Sequence, residues 1–410
     1  MTRLRVFGRR FVLAESFAAL GLLAFALSSD TLALCGFIGA FVSLALQAWQ
    51  HYALNGLSYT RRLSASRVRF GEPVELEIEI VNDKVLPLAF VEIDDTLPRH
   101  VAIDGAAITQ HFGSPPRLVQ VLGLLPYQRV RRRLVLTCTR RGEHRIGPAT
   151  LTSGDPLGAR LSHTTVPASD RLLVYPKLFA LAPRGIASRV LVGDHKSTNL
   201  LAPDPTRVAG VRPFQPGDPL RQVNWRATAR TGELVVRRFE PSAQVKVAIF
   251  LDVFLSGVSA FAPESDELEL LIALCASVVS ELDATGIPVG CYSTGSAGGR
   301  PLALTPRRFG AAEVLEGLAR LVPLYSLSFE ALLAQASARL SPATSLVILA
   351  TELSPPALGE IAELRRRFSV SAVQLELPEC PLLAAEGFDG FLRTPYLEDW
   401  REREALELAR

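Results

Sequence analysis

Between Gly210 and Glu240 the chain gathers groups suited to recognition: Arg212, Asp218, Arg221, Asn224, Trp225, Arg226 and Arg230. Guanidinium groups are planar donors that fit carboxylates two bonds at a time. Tryptophan adds a large apolar face with one polar tip. Such groups are costly near a core unless paired. The segment therefore reads either as a surface for an acidic partner or as an arginine–carboxylate seam joining two domains. In an extended run from Arg221 to Arg226, alternate residues share a face. Val223 and Trp225 would then point to the core, and Asn224 and Arg226 to water or a partner. A second candidate begins at Asp252, where the apolar stretch 245–251 ends. Asp252 and Ser256, with Glu352 after another apolar stretch, are the hard-oxygen groups that a divalent cation takes. Phe254 stands between the first two and has no ligating atom. The set is expected to be degenerate, with no cofactor bound.

Other chemistries find no motif. There is no Gly-x-x-x-x-Gly-Lys loop for a nucleotide, no His-Glu-x-x-His and no Gly-x-Ser-x-Gly elbow. The histidines at 51, 100, 111, 144, 163 and 195 are scattered. His144, among arginines, reads as an edge-strand turn rather than an anion contact. Gly295 to Gly299 lacks dinucleotide spacing and reads as a β-turn. A net charge of +3 provides no field for nucleic acid. Cys35, Cys138, Cys275, Cys291 and Cys380 are odd in number and widely spaced. They read as small buried apolar side chains in a reducing compartment. The expectation is a protein that is not an enzyme.

The elements that must carry these groups change character along the 410 residues. The first 57 residues hold two apolar runs, Phe11 to Leu27 and Thr31 to Trp49, each about the length that crosses a bilayer. The link between them fits only a tight hairpin. Arginines 3, 5, 9 and 10 precede it, and 61, 62 and 67 follow it, which places both termini in the cytoplasm. A cleaved signal peptide ending near Ser28 is the rival reading. Residues 58–178 alternate apolar and polar residues as an all-β sandwich or barrel does. Glutamates along 74–80 are placed to face arginines along 129–136 across two strands. Residues 179–241 form a core segment or linker. From 242 to 395 apolar strands alternate with helical spacing, the signature of a doubly wound α/β sheet. The charged end, 396–410, is expected to be a short helix.

A turn, then Asp218-Pro219, Asn224-Trp225 and Ala229-Arg230-x-Gly232, follow one another in an order that resembles the bacterial domain-of-unknown-function-58 family. Arg141-Gly142, Gly147-Pro148, Asp155-Pro156-Leu157-Gly158 and Tyr175-Pro176 add to the likeness. The resemblance implies a multidomain protein of the bacterial inner membrane: a transmembrane helical hairpin, a β-sandwich-like domain and a von Willebrand A-like α/β domain. It implies an adaptor or co-chaperone that works with a MoxR-type AAA+ ATPase on client proteins, anchored in the lipid bilayer and binding no nucleic acid. It supplies no catalytic residues. Two other functions stay open: a cation-dependent adhesion module outside the cell, and a hydrolase with an unrecognised site.

Overall fold

A computed structural model describes residues 12–26, 30–104, 108–109, 114–156, 158, 161–182, 203–215, 223–241, 246–254, 265–324, 327–341, 343–378, 380 and 383–409. These fall into two compact units, 1–174 and 175–410.

The first unit opens with helices α1 (Val12–Ala26) and α2 (Asp30–Ala53). Among the described residues α2 alone is long and apolar enough to cross a membrane, with a mean hydropathy of 1.9. The two pack antiparallel through small residues. A Cβ at Gly36 would lie 2.4 Å from the Gly21 Cα, and one at Gly39 would lie 2.9 Å from the Phe17 ring. Only glycine lets the backbones come this close. Gly36→Leu is therefore expected to force the helices apart, at a cost of about 1–3 kcal/mol. The check is a lower midpoint of helix-pair unfolding in a mixed-micelle detergent titration. An unchanged midpoint would show that the glycine contact does not hold the pair.

Among the described residues twelve strands follow. They are β1 (Leu57–Leu63), β2 (Arg67–Val68), β3 (Pro73–Asn82), β4 (Leu88–Thr96), β5 (Val101–Asp104) and β6 (Ile108–Thr109). Next come β7 (Arg117–Leu124), β8 (Arg129–Cys138), β9 (Gly142–Ile146), β10 (Ala149–Gly154), β11 (Leu161–Val166) and β12 (Asp170–Val174). They form sheets ordered β1-β3-β8-β5, β11-β10-β4-β7-β6 and β2-β12-β9. Alternation on β3 buries Val74, Leu76, Ile78 and Ile80 in the shared apolar core. The glutamates and arginines pair across the exposed face as expected. Glu77 faces Arg133 and Glu79 faces Arg131, and Arg129 approaches Glu79 at 3.0 Å.

Arg61 does not act as a membrane flank here. It is buried on β1, where it pairs with Asp95 and, at 3.0 Å, with Asp170. The Tyr59 hydroxyl also donates to Asp95. Burial, then Asp95, pushes the Tyr59 phenol well above its ordinary range. His144 is likewise structural: it is buried, with Nε2 2.9 Å from the Arg140 carbonyl oxygen.

In the second unit, β13 (Ala180–Ala182) precedes a hairpin of β14 (Pro203–Pro213) and β15 (Val235–Pro241), with helix α3 (Trp225–Thr231) between them. The α/β sheet comprises β16 (Lys246–Leu251), β17 (Val289–Ala297), β18 (Arg300–Arg307), β19 (Leu321–Val322), β20 (Thr344–Ala350), β21 (Val370–Glu376) and β22 (Gly390–Pro395). Its order is β18-β17-β16-β20-β21-β22, with β19 also on β17. The pairs β17-β16-β20-β21-β22 are parallel, and β18 is antiparallel. Helices α4 (Asp266–Ala284), α5 (Ala311–Ala319), α6 (Phe329–Ser337) and α7 (Pro355–Leu364) alternate with the strands. Ser265 caps α4 by accepting from the Leu268 amide at 3.2 Å, and acids fill its first turn. The Gly298-Gly299 step, with φ of 59° and 82°, turns β17 into β18.

The charged tail is not a helix. Its β23 (Ala405–Glu407) runs parallel to β13, and Trp400 is buried beside Phe179. An apolar anchor and a sheet ladder outweigh the helical preference of the surrounding glutamates and arginines. Of the cysteines, Cys138, Cys275 and Cys291 are buried, whereas Cys35 is exposed on α2 and Cys380 is half-buried.

Candidate functional site

Two places in the second unit hold the residues singled out by the sequence. The first is the loop between β14 and β15. Val223 is buried and bridges Val236, so the chain is extended up to that point. The Asn224 side chain then accepts from the Ala227 amide at 3.2 Å and starts α3. Gly232, at φ 76°, ends it and donates to the Thr228 carbonyl at 2.9 Å. The extended reading therefore fails one residue after Val223. Trp225 occupies the first helical position and is 65% exposed, not turned to the core. Arg226 and Arg230 lie one turn apart on the same helix, both exposed. Neither forms an ion pair among the described residues. Arg212 is half-buried on β14, and its Nη1 donates to the Pro213 carbonyl at 3.1 Å. Asp218 and Arg221 lie outside the described residues.

The second place is the carboxyl end of the parallel strands, where such sheets bind ligands. The Asp252 amide continues the ladder by donating to the Leu349 carbonyl at 2.9 Å. Its carboxylate accepts from the Phe254 amide and from the Thr294 hydroxyl, each at 3.1 Å. The Thr294 hydroxyl in turn accepts from the Val253 amide at 3.2 Å. A cavity of about 540 Å³ opens above, lined by Asp252, Thr294, Phe329, Glu330, Glu352 and Pro355 among others. Burial pushes the Asp252 carboxyl up to about 6, against the two hydrogen bonds and with the help of Glu330 and Glu352.

Asp252 and Glu352 are thus brought to one cavity, and Ser256 lies outside the described residues. Phe254 is half-exposed where a hydroxyl ligand would be needed. Among the described residues no three histidine, cysteine, aspartate or glutamate side chains converge as a metal set. Sequence reasoning missed Thr294 and Glu330. Each follows a local signal, a strand end and a helix first turn, but only the sheet order brings them to Asp252.

Residues 210–375 match the family model described as "Protein of unknown function DUF58". The match runs from the β14–β15 hairpin through β21 and covers both places. Over these residues the chain is similar to the DUF58 family. The "Uncharacterized protein YeaD" of Bacillus subtilis (strain 168) is 24% identical over 251 residues, 60% of this chain and 57% of that protein. The chain thus spans little more than half the length of the curated relative it matches. Among solved structures, a cohesin module from a Clostridium perfringens ATCC13124 family 33 glycoside hydrolase is 14% identical. It covers 29% of this chain and 96% of that one, with a TM-score of 0.20. The CARDB domain of the PF1109 protein from Pyrococcus furiosus is 15% identical, covering 29% and 91%, with a TM-score of 0.19.

Proposed function

We propose that this protein is a DUF58-family, membrane-anchored, cytoplasm-facing adaptor that docks a MoxR-type AAA+ ATPase while that motor assembles or matures other complexes. One observation carries the reading. On the segment that matches the family, Trp225 stands exposed beside two exposed arginines. A solvent-facing tryptophan has no folding role, and tryptophan and arginine are the residues that most often dominate binding interfaces. The arginines select an acidic partner surface. The α/β unit is read as von Willebrand A-like, which its strand order and single antiparallel edge beyond β17 support. In this reading α1 and α2 cross the bacterial inner membrane as a hairpin. The arginines before α1, with Arg62 and Arg67 after α2, support cytoplasmic termini.

The experiment is crosslinking in bacterial membranes between the full chain and the MoxR-type ATPase of the same cell. Trp225→Ala is expected to reduce the crosslinked fraction about thirtyfold, the size of an interface hot spot. It should change stability by no more than about 0.5 kcal/mol, because the side chain is exposed. Equal crosslinking by the variant would sink the proposed docking site.

A second reading rests on Asp252. A carboxyl that titrates near neutrality inside a cavity suits proton transfer. Screening ester and phosphoester hydrolysis with the native chain and Asp252→Ala separates the readings. An activity lost in the variant would make the protein a hydrolase.

A further inference from the structure

The end of α2 meets the β3–β4 loop, which is tied to the β7–β8 loop, and the composition of neither suits water. The link between β3 and β4 carries Lys84 and Val85, and Val85 is 71% exposed. The link between β7 and β8 carries Leu125, Pro126 and Tyr127, with Leu125 and Tyr127 also largely exposed. The loops are built as one piece. The buried Asn82 amide donates to the carbonyls of Leu86 at 3.0 Å and Leu125 at 2.9 Å. The Tyr127 amide donates to the Lys84 carbonyl at 3.2 Å. Tyr127 sits at φ 53°, a left-handed backbone that bulky residues rarely adopt and that costs free energy to hold. That geometry places an aromatic ring at the tip, where folding gains nothing from it.

Lys84 binds the assembly to the helix. Its Nζ donates to the Ala53 carbonyl at 2.8 Å, at the negative end of α2. A groove of about 610 Å³ lies between, lined by one face of α2, Ala45, Ala48, Trp49 and Tyr52, and by Lys84 and Leu86 opposite. Helix length fixes the level. About 20 residues cross the hydrocarbon layer, at about 1.5 Å each. Counted from Asp30, that distance ends near Trp49. Trp49 and Tyr52, with Lys84 held against Ala53, therefore lie near the depth at which aromatic and basic residues anchor proteins to lipid.

We propose that the Lys84–Val85 and Leu125–Tyr127 tips are seated in the headgroup layer of the bilayer and that the groove holds a phospholipid, its phosphate on the Lys84 ammonium. The proposal rests on the anchored reading above and adds that the β unit lies on the membrane rather than swinging free of it. Its occupant is lipid because the groove continues the apolar face of the helix that enters the bilayer.

The test uses the full chain in nanodiscs of phosphatidylethanolamine and phosphatidylglycerol, with Cys35 and Cys380 replaced by alanine. Nitroxide labels are placed at Val85→Cys, Leu125→Cys and, as a control, Glu72→Cys. Glu72 precedes the far end of β3, ~30 Å away along the strand. Labels at 85 and 125 are expected to be at least threefold more shielded from a water-soluble nickel chelate than the label at 72, and to favour oxygen. Equal nickel access at all three, with the protein still in the nanodisc, overturns the seating. Loss of the chain from the lipid fraction removes the anchored reading itself, and the seating with it. The phosphate contact is read by native mass spectrometry of the detergent-extracted chain. The native protein is expected to retain a phospholipid that Lys84→Gln loses severalfold. Equal retention overturns that contact.

Discussion

Replacing Arg61 with alanine is expected to destabilise the β unit by about 3–5 kcal/mol, the usual cost of leaving one member of a buried ion pair alone. The side chains of Arg61 and Asp95 are 2% and 1% exposed. Arg61 also reaches the Ala168 carbonyl through Nη2 at 2.6 Å, and Asp170 through Nε. Removing the guanidinium strands the Asp95 carboxylate beside the Tyr59 hydroxyl with no cation. The double variant Arg61→Met/Asp95→Leu should cost less than the single one, because no charge is then left buried. The single variant should also recover stability in acid. Its buried Asp95 would hold a proton more tightly folded than unfolded, so stability is present at low pH and lost as pH rises. Urea titrations of the full chain in mild detergent at pH 5 and pH 8 measure both effects. A double variant as unstable as the single one would show that packing, not stranded charge, sets the loss.

Asp252→Asn is expected to act in the opposite direction. The Asp252 carboxyl titrates at about 6 in the folded protein, against an ordinary 3.8. The folded state therefore prefers the protonated form. The contribution is fully present below about pH 4 and is lost as pH climbs through about 6. That gap is worth about 3 kcal/mol at pH 8. Asparagine keeps an acceptor for the Phe254 amide and the Thr294 hydroxyl and carries no charge to desolvate. The variant should therefore match the native protein at pH 4 and exceed it by up to about 3 kcal/mol at pH 8. Hydrogen exchange along β16, corrected for intrinsic rates, reports the difference locally. Equal protection at pH 8 would mean that the carboxylate is not penalised. A group retained at such a cost is more readily explained by use than by folding.

Much of this architecture is legible in the sequence because it depends on local pattern. The Glu/Arg alternation on β3 and β8 encodes its own cross-strand pairing. The change from period two to alternating strands and helices marks the start of the α/β sheet. What stays hidden depends on partners far along the chain or on one competing local signal. Period two carried past Val223 turns Trp225 inward, although Asn224 is a strong helix cap and begins a new period there. The tail reads as helical because β23 needs β13, more than two hundred residues earlier, before it can exist. Arg61 reads as a membrane flank until Asp95 and Asp170 close around it. Thr294 and Glu330 join Asp252 only through the strand order.

The anchored adaptor is tested most directly by a binding isotherm. The full chain in nanodiscs is titrated with the purified, fluorescently labelled MoxR-type ATPase of the same bacterium. The account predicts saturable binding that Trp225→Ala weakens about thirtyfold and that Asp252→Asn leaves within a factor of about two, because docking runs through the exposed tryptophan and its arginines. No saturable binding by the native chain, or an isotherm unmoved by Trp225→Ala, would contradict it.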